Sequence, residues 1–415
     1  MHYSAYYILI LAAMATWFLL GGLIGRFSRF YADQIAPTVP NRTVTLDGLR
    51  GYLALAVYVA HCMFTRHFLA TGVWVPDHKA FVLIGKFAVI FFFMITGFLF
   101  WSRAVATQSR IKLWPFYRGR IFRIVPMYVA AVLPILVLVF IHAREEQTDW
   151  STLVRCVGSI LTMGFVQWRP LHVFDPSTAQ AGVTWTLVHE WRFYLLFPIL
   201  AVMATRPRFL GLAAAGLAWT LYKHETDFVR YDLIFLYGMA TAYIVRSPAC
   251  VRWSSTPVAG VVALVTILLL PVTFTNGFGL AALSTAFVIF ASIAAGNSLL
   301  GLLTAAGSRV LGTMSYSIYL IHGMVLFFSR PLLRALLAGT SHPDVVFWLF
   351  VAGMGCVVVL MSALTYRWIE HPFIEFEKSM RRRPNAPSTE PSEPSGGQAS
   401  SAAASTAATG SLGAA

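Results

Sequence analysis

The sequence predicts an all-α, polytopic bundle of transmembrane helices, and three observations carry that class. The 415 residues are 58% hydrophobic and only 12% charged, with a mean hydropathy of +0.69; a soluble domain carries about 25% charged residues. Apolar runs of about 20 residues recur along the chain, the length that crosses a hydrocarbon core of about 30 Å as a helix. Lysine and arginine gather between these runs, as topology signals do.

Candidate spans lie at 6–25, 48–64, 80–101, 121–141, 184–204, 209–222, 230–246, 257–273, 279–297, 310–328 and 346–366, about eleven in all. The first has no charged segment before it and no small-residue cleavage site after it, so it reads as a retained helix and not a signal peptide. The stretch 151–168 is apolar but short and contains Arg155, which makes it interfacial or re-entrant. That choice sets the orientation. The loop 102–120 carries Arg103, Arg110, Lys112, Arg118 and Arg120 without an acid, so it belongs in the cytoplasm by the positive-inside rule. If 151–168 does not cross, Arg206, Arg208, Arg246, Arg252, Arg309 and the cluster from Lys378 to Arg383 fall on the same side. The N-terminus is then outside and the C-terminus in the cytoplasm.

Residues 1–41 thus form a leading helix and a cytoplasmic linker, and 42–376 a membrane domain. Residues 377–415 form a basic segment followed by a disordered cytoplasmic tail, because from Pro384 the chain is rich in Ser, Ala, Pro and Gly and cannot bury a core. No soluble catalytic domain is expected at either end, so any chemistry takes place among the helices. The net charge of +14 fits anionic lipid headgroups better than nucleic acid, and no nucleic-acid partner is expected. Cys62, Cys156, Cys250 and Cys356 are scattered without metal-ligand spacing, so neither a metal site nor a structural disulfide is expected.

Ionisable groups inside apolar spans are expensive and mark function. In the run from Leu46 to His61, Asp47 and Arg50 sit one turn apart, and His61 follows Arg50 by eleven residues on the same helix face. At 1.5 Å per residue the histidine lies about 16 Å beyond the arginine, in the outer half of the membrane. The pattern is that of a reaction centre with a charged entrance. Glu190, about 9 Å below the outer surface, and His322, about 18 Å from the inner one, reach a similar level on two other helices. Glu190 has the alternative of pairing with Arg192 or His189. His322, with Tyr319 and Ser315 on its face, has that of a hydrogen-bonded polar stripe. The run Phe91–Phe93 with Thr96 and Gly97 reads as helix packing. Arg120 and Arg123, one turn apart, with Arg118 just before them, suit the bidentate binding of phosphate oxygens; the alternative is a contact with lipid phosphates.

These segments, in this order across about residues 42–376, resemble the acyltransferase-3 family of integral-membrane acyltransferases. The resemblance rests on Leu-Asp-Gly-Leu-Arg-Gly with His61 after Arg50, the FFFMITGF segment, the Arg120/Arg123 pair, WTLVHEWRFYLLFP, SYSIYLIH, and a late Glu-x-Pro at Glu370 to Pro372. Family members usually have ten helices, so 6–25 stands as an added leading helix. Thr96 occupies a position where relatives commonly have Ser. The resemblance implies transfer of an acyl group, usually acetyl, from acyl-coenzyme A to a hydroxyl, with no metal.

The expected protein is an O-acetylating enzyme of the bacterial inner membrane. It would use acetyl-CoA as donor and a surface glycan or lipid-linked sugar as acceptor, in polysaccharide or lipopolysaccharide biosynthesis. Its donor phosphates would rest on Arg118, Arg120 and Arg123. His61 would act as general base or acyl carrier, with Arg50, Asp47 and Glu190 beside it and His322, Tyr319 and Glu370 as further candidates. Many relatives carry a soluble hydrolase-like domain after the membrane part. Without one, this chain would complete the transfer itself or use a separate periplasmic protein. An acyltransferase for a small hydrophobic acceptor such as a macrolide remains open. A proton-coupled transporter is the rival from another class, but no internal repeat or matched pair of broken helices supports it.

Overall fold

The computed structural model describes residues 3–36, 44–76, 78–172, 174–202 and 227–382. The expected span at 209–222 and the tail from 383 onward lie outside the described residues. In chain order the helices are α1 (Tyr3–Phe27), α2 (Arg29–Ile35), α3 (Val44–Thr71), α4 (Lys79–Ala106), α5 (Leu113–Glu145), α6 (Trp150–Leu161) and α7 (Trp185–Val202). Then come α8 (Asp227–Ile244), α9 (Pro248–Ser254), α10 (Pro257–Thr273), α11 (Leu280–Ala294), α12 (Ala306–Thr313), α13 (Ser315–Ala338), α14 (Pro343–Thr365) and α15 (His371–Arg382). A π-helical turn, Tyr366–Glu370, joins the last two. The molecule is an all-α bundle, and six of the described helices are long and apolar enough to cross a membrane: α1, α3, α4, α5, α13, and α14 continued through α15. A seventh candidate is the pair α8 and α9, bent by 101°.

The 12 residues of α6 reach only about 18 Å, short of a hydrocarbon core. Asp149 caps it by accepting from the Thr152 amide at 3.0 Å. One face, with Cys156, Ser159 and Ile160, is buried, while Trp150, Val154 and Leu161 are exposed, as in a helix lying along a surface.

The expected continuous span 310–328 is corrected. The chain breaks at Met314 into the short α12 and the longer α13, which runs ten residues past the expected end. Gly307, Ser308, Gly312 and Thr313 are weak helix formers, and α12 is wedged between two neighbours. A Cβ on Gly312 would strike the Asp47 carbonyl on α3, and one on Gly307 the Phe18 carbonyl on α1.

Close approach also explains the Phe-rich segment. A Cβ on Gly97 of α4 would run into the Phe235 carbonyl of α8, and one on Gly238 of α8 into that of Met94. The reciprocal pair lets the two backbones touch, as small residues do between membrane helices. The leading α1 is anchored at Trp17: this buried residue donates to the Ala352 carbonyl of α14 at 3.0 Å and lies against Gly355.

Candidate active site

Helix α3 presents Asp47, Arg50 and His61 from the inside of the bundle, and α13 meets it at His61. Nδ1 of His61 lies 2.9 Å from Nε2 of His322, and the two rings stack with centroids 5.0 Å apart. His322 is fully buried, and its Nδ1 lies 3.1 Å from the Ile318 carbonyl. A carbonyl only accepts, so His322 Nδ1 carries the hydrogen and its Nε2, in the neutral ring, is a lone pair. His61 Nδ1 therefore donates to it, and His61 Nε2 is left as an unshared lone pair. No other hydrogen bond reaches His61 among the described residues, and the residue is partly exposed.

A partly open cavity of about 80 Å³ lies beside Arg50, and neither His61 nor His322 lines it. Its polar walls are Arg50, Arg123, Glu190, Thr186 and Tyr319, and its apolar walls include Val89, Phe92, Phe93, Ile95 and Leu187. Tyr319 links the two parts of the site. Its ring touches His322 at 6.0 Å, and its hydroxyl pairs with Thr186 at 2.8 Å and donates to the Val183 carbonyl at 3.2 Å. Thr96 lines the cavity while its neighbour Gly97 packs helices, so the Phe-rich segment serves both purposes.

The shared level expected for three titratable groups holds for two. His61 and His322 touch, although His322 lies only about 10 Å from the start of its helix, not 18 Å, because α13 begins at Ser315. Glu190 belongs to the arginine end: it accepts from Tyr194 and interacts electrostatically with Arg50, Arg120 and Arg123. Its expected alternatives are occupied elsewhere. Asp232 of α8 takes both His189, at 2.6 Å, and Arg192, at 2.8 Å. That acid, unremarked in the sequence, is what leaves Glu190 to the cavity.

Arg50 and Arg123 share one further carboxylate. Glu370, buried in the π-helical turn, accepts from Ser317 at 2.9 Å, and its second oxygen has no hydrogen-bond partner among the described residues. It interacts with both guanidinium groups. Asp47 interacts with Arg50 from one turn away. Arg120 is held over the rings of Phe100, at 5.0 Å, and Tyr194, at 5.7 Å. Arg118 is held by Glu377 at 3.4 Å, beside Arg381, which reaches the same carboxylate at 2.5 Å. The structure therefore brings Arg50, Arg123, Glu190 and Glu370 together and leaves Arg118 in a separate ion pair. No group of three His, Cys, Asp or Glu side chains placed to hold a metal exists among the described residues.

The helix bundle thus joins a stacked histidine pair, through Tyr319, to an arginine-lined cavity. Comparison with known proteins gives its family. The model of the acyltransferase-3 family, described as an acyltransferase domain, matches residues 43–367, and the chain belongs to that family. The match begins after α1 and α2 and stops three residues before Glu370.

Among the relatives, YrhL of Bacillus subtilis, named provisionally as a peptidoglycan O-acetyltransferase, is 26% identical over 79% of this chain and 54% of its own length. Peptidoglycan O-acetyltransferase OatA of Listeria monocytogenes is 23% identical over 86% of this chain and 58% of its own. Acyltransferase MdmB of Streptomyces mycarofaciens is 29% identical over 43% of this chain and 44% of its own. The chain thus spans about half the length of these relatives. No solved structure matches.

Proposed function

We propose that the protein is an O-acetyltransferase of the bacterial inner membrane that moves an acetyl group from acetyl-CoA to a hydroxyl of a cell-surface glycan or its lipid-linked precursor. The observation that carries this reading is the unshared His61 Nε2, linked through His322 and Tyr319 to an arginine-lined cavity. The donor's phosphates would meet Arg50 and Arg123, with Arg120 behind them, since guanidinium forks suit phosphate oxygens. The acceptor hydroxyl would give its proton to His61 Nε2 as its oxygen attacks the thioester carbonyl. The C–S bond breaks as the ester forms, and the departing thiolate takes the proton back from the imidazolium. His322, accepting from Nδ1 throughout, holds the ring in the competent tautomer.

The names of the Bacillus and Listeria relatives support a glycan acceptor. The test is transfer of labelled acetyl from acetyl-CoA to a purified glycan acceptor by the protein in liposomes. Product formation that His61→Ala abolishes is the expected result. Product formed equally well by that variant would overturn the mechanism.

A further inference from the structure

We propose that Arg330, with the rings of Phe64, Phe68 and Trp74, forms the acceptor-side subsite of this centre. It would bind an anionic group that the acceptor carries at a distance from the hydroxyl presented to His61. The proposal rests on the acyltransferase reading above.

Arg330 lies within the candidate span Ser315–Ala338, where an arginine is expensive and usually serves a purpose. Other arginines of the bundle have counter-charges: Arg66 has Asp344 at 2.6 Å, Arg192 has Asp232, and Arg118 has Glu377. Arg330 pairs with no carboxylate among the described residues. Its one hydrogen bond goes from Nη2 to the Thr178 carbonyl at 2.8 Å, and its buried Nε has no partner. A guanidinium has five N–H donors, so most of this one's capacity is unused. The group is held instead over the rings of Phe327, Phe68 and Trp74, at 4.8, 5.1 and 5.4 Å. Aromatic faces stabilise a cation without neutralising it.

The same rings lead back to the reaction centre. His61 contacts Phe64 at 5.6 Å, Phe64 contacts Trp74 at 5.9 Å, and Trp74 contacts Phe68 at 5.7 Å. Phe64, Phe68, Trp74 and Arg330 are all partly exposed. On α3, Arg50 precedes His61 by about 16 Å and Phe68 follows it by about 10 Å, so this ladder runs away from the arginine-lined cavity. Along α13, Arg330 lies about 12 Å beyond His322, roughly the reach of a disaccharide. Rings that offer flat apolar faces and a fork that grips a planar carboxylate suit an acidic oligosaccharide. The diphosphate of a lipid-linked sugar offers the same charge chemistry.

The test reads binding in the full chain in nanodiscs, on a His61→Ala background so that nothing turns over. The probes are tetragalacturonate, its methyl ester and farnesyl diphosphate. Arg330→Gln is expected to weaken at least one anion by about tenfold or more while leaving the neutral ester unchanged. Loss confined to tetragalacturonate identifies the sugar acid, and loss confined to farnesyl diphosphate identifies the lipid diphosphate. If Arg330→Gln does not fold, Arg330→Lys decides, since it keeps the charge and loses the fork: a weakened anion with an unchanged ester is the expected result. Equal loss for anion and ester, or no loss, would overturn the subsite and show that Arg330 only clamps the turn at Thr178. Because no catalysis is read, failure of acetyl transfer in the assay above leaves this result standing.

Discussion

A neutral imidazole has one basic nitrogen, and a hydrogen-bond partner fixes which one it is; here that partner is His322. His322→Ala should lower kcat by about 10²-fold or more without raising the KM for acetyl-CoA, because the tautomer is lost and not the donor contacts. His322→Gln should restore part of the rate, since an amide oxygen can accept from His61 Nδ1. Steady-state kinetics of the two variants checks both statements. The donor end behaves differently. Arg123→Glu should raise the KM for acetyl-CoA by about tenfold or more and leave acceptor dependence nearly unchanged, because it reverses charge where the phosphates are proposed to dock. His61 and Arg50 stood out in the sequence as ionisable groups in an apolar run, and Arg123 as half of a basic pair. Asp232, Phe64 and Trp74 did not, because their roles depend on which helix faces which, and spacing along one helix does not contain that.

At the level of the helix, periodicity and length were enough to mark most of the described elements, and they failed where neighbours decide. The break at Met314 follows from the wedge of α12 between α1 and α3, a packing event invisible to hydropathy. The Gly97–Gly238 pair gives an element-level prediction. Gly97→Leu should destabilise the bundle by about 1–3 kcal/mol or prevent folding, since its side chain must displace the backbone of α8. Gly22→Leu, where a Cβ meets nothing within 4 Å, is the control and should be near neutral. Thermal unfolding in detergent, followed for both variants, is the measurement.

For the molecule as a whole, the orientation expected from the sequence would turn the two ends of the site toward opposite faces of the membrane. Reporters fused in the 103–118 loop and after Arg208 should sit in the cytoplasm, and one near Thr148 outside. A reporter after Arg208 found outside would mean that 151–168 crosses and that the orientation is reversed beyond it. In sealed vesicles of known orientation, acetyl-CoA should drive transfer only from the cytoplasmic side. Equal activity from the outer side would remove the opposed-entry arrangement while leaving the enzyme class untouched.

The seating of Trp17 against α14 sets an order of events during synthesis. Trp17 and its acceptor, the Ala352 carbonyl, are separated by 335 positions, and Tyr31 and the Ala363 carbonyl it reaches at 2.6 Å by 332. At about 5–20 residues per second, α1 waits roughly 17–67 s after its own translation before its partner exists. Throughout that interval the indole must be sheltered by lipid, by a translocation factor or by a chaperone, whereas the small-residue face at Gly21 waits only for Gly307 and Leu311 of α12. A nascent chain stalled before α14 would therefore hold α1 against α12 but without its seat on α14, even though every helix bearing His61, His322, Arg50 or Arg123 is already complete.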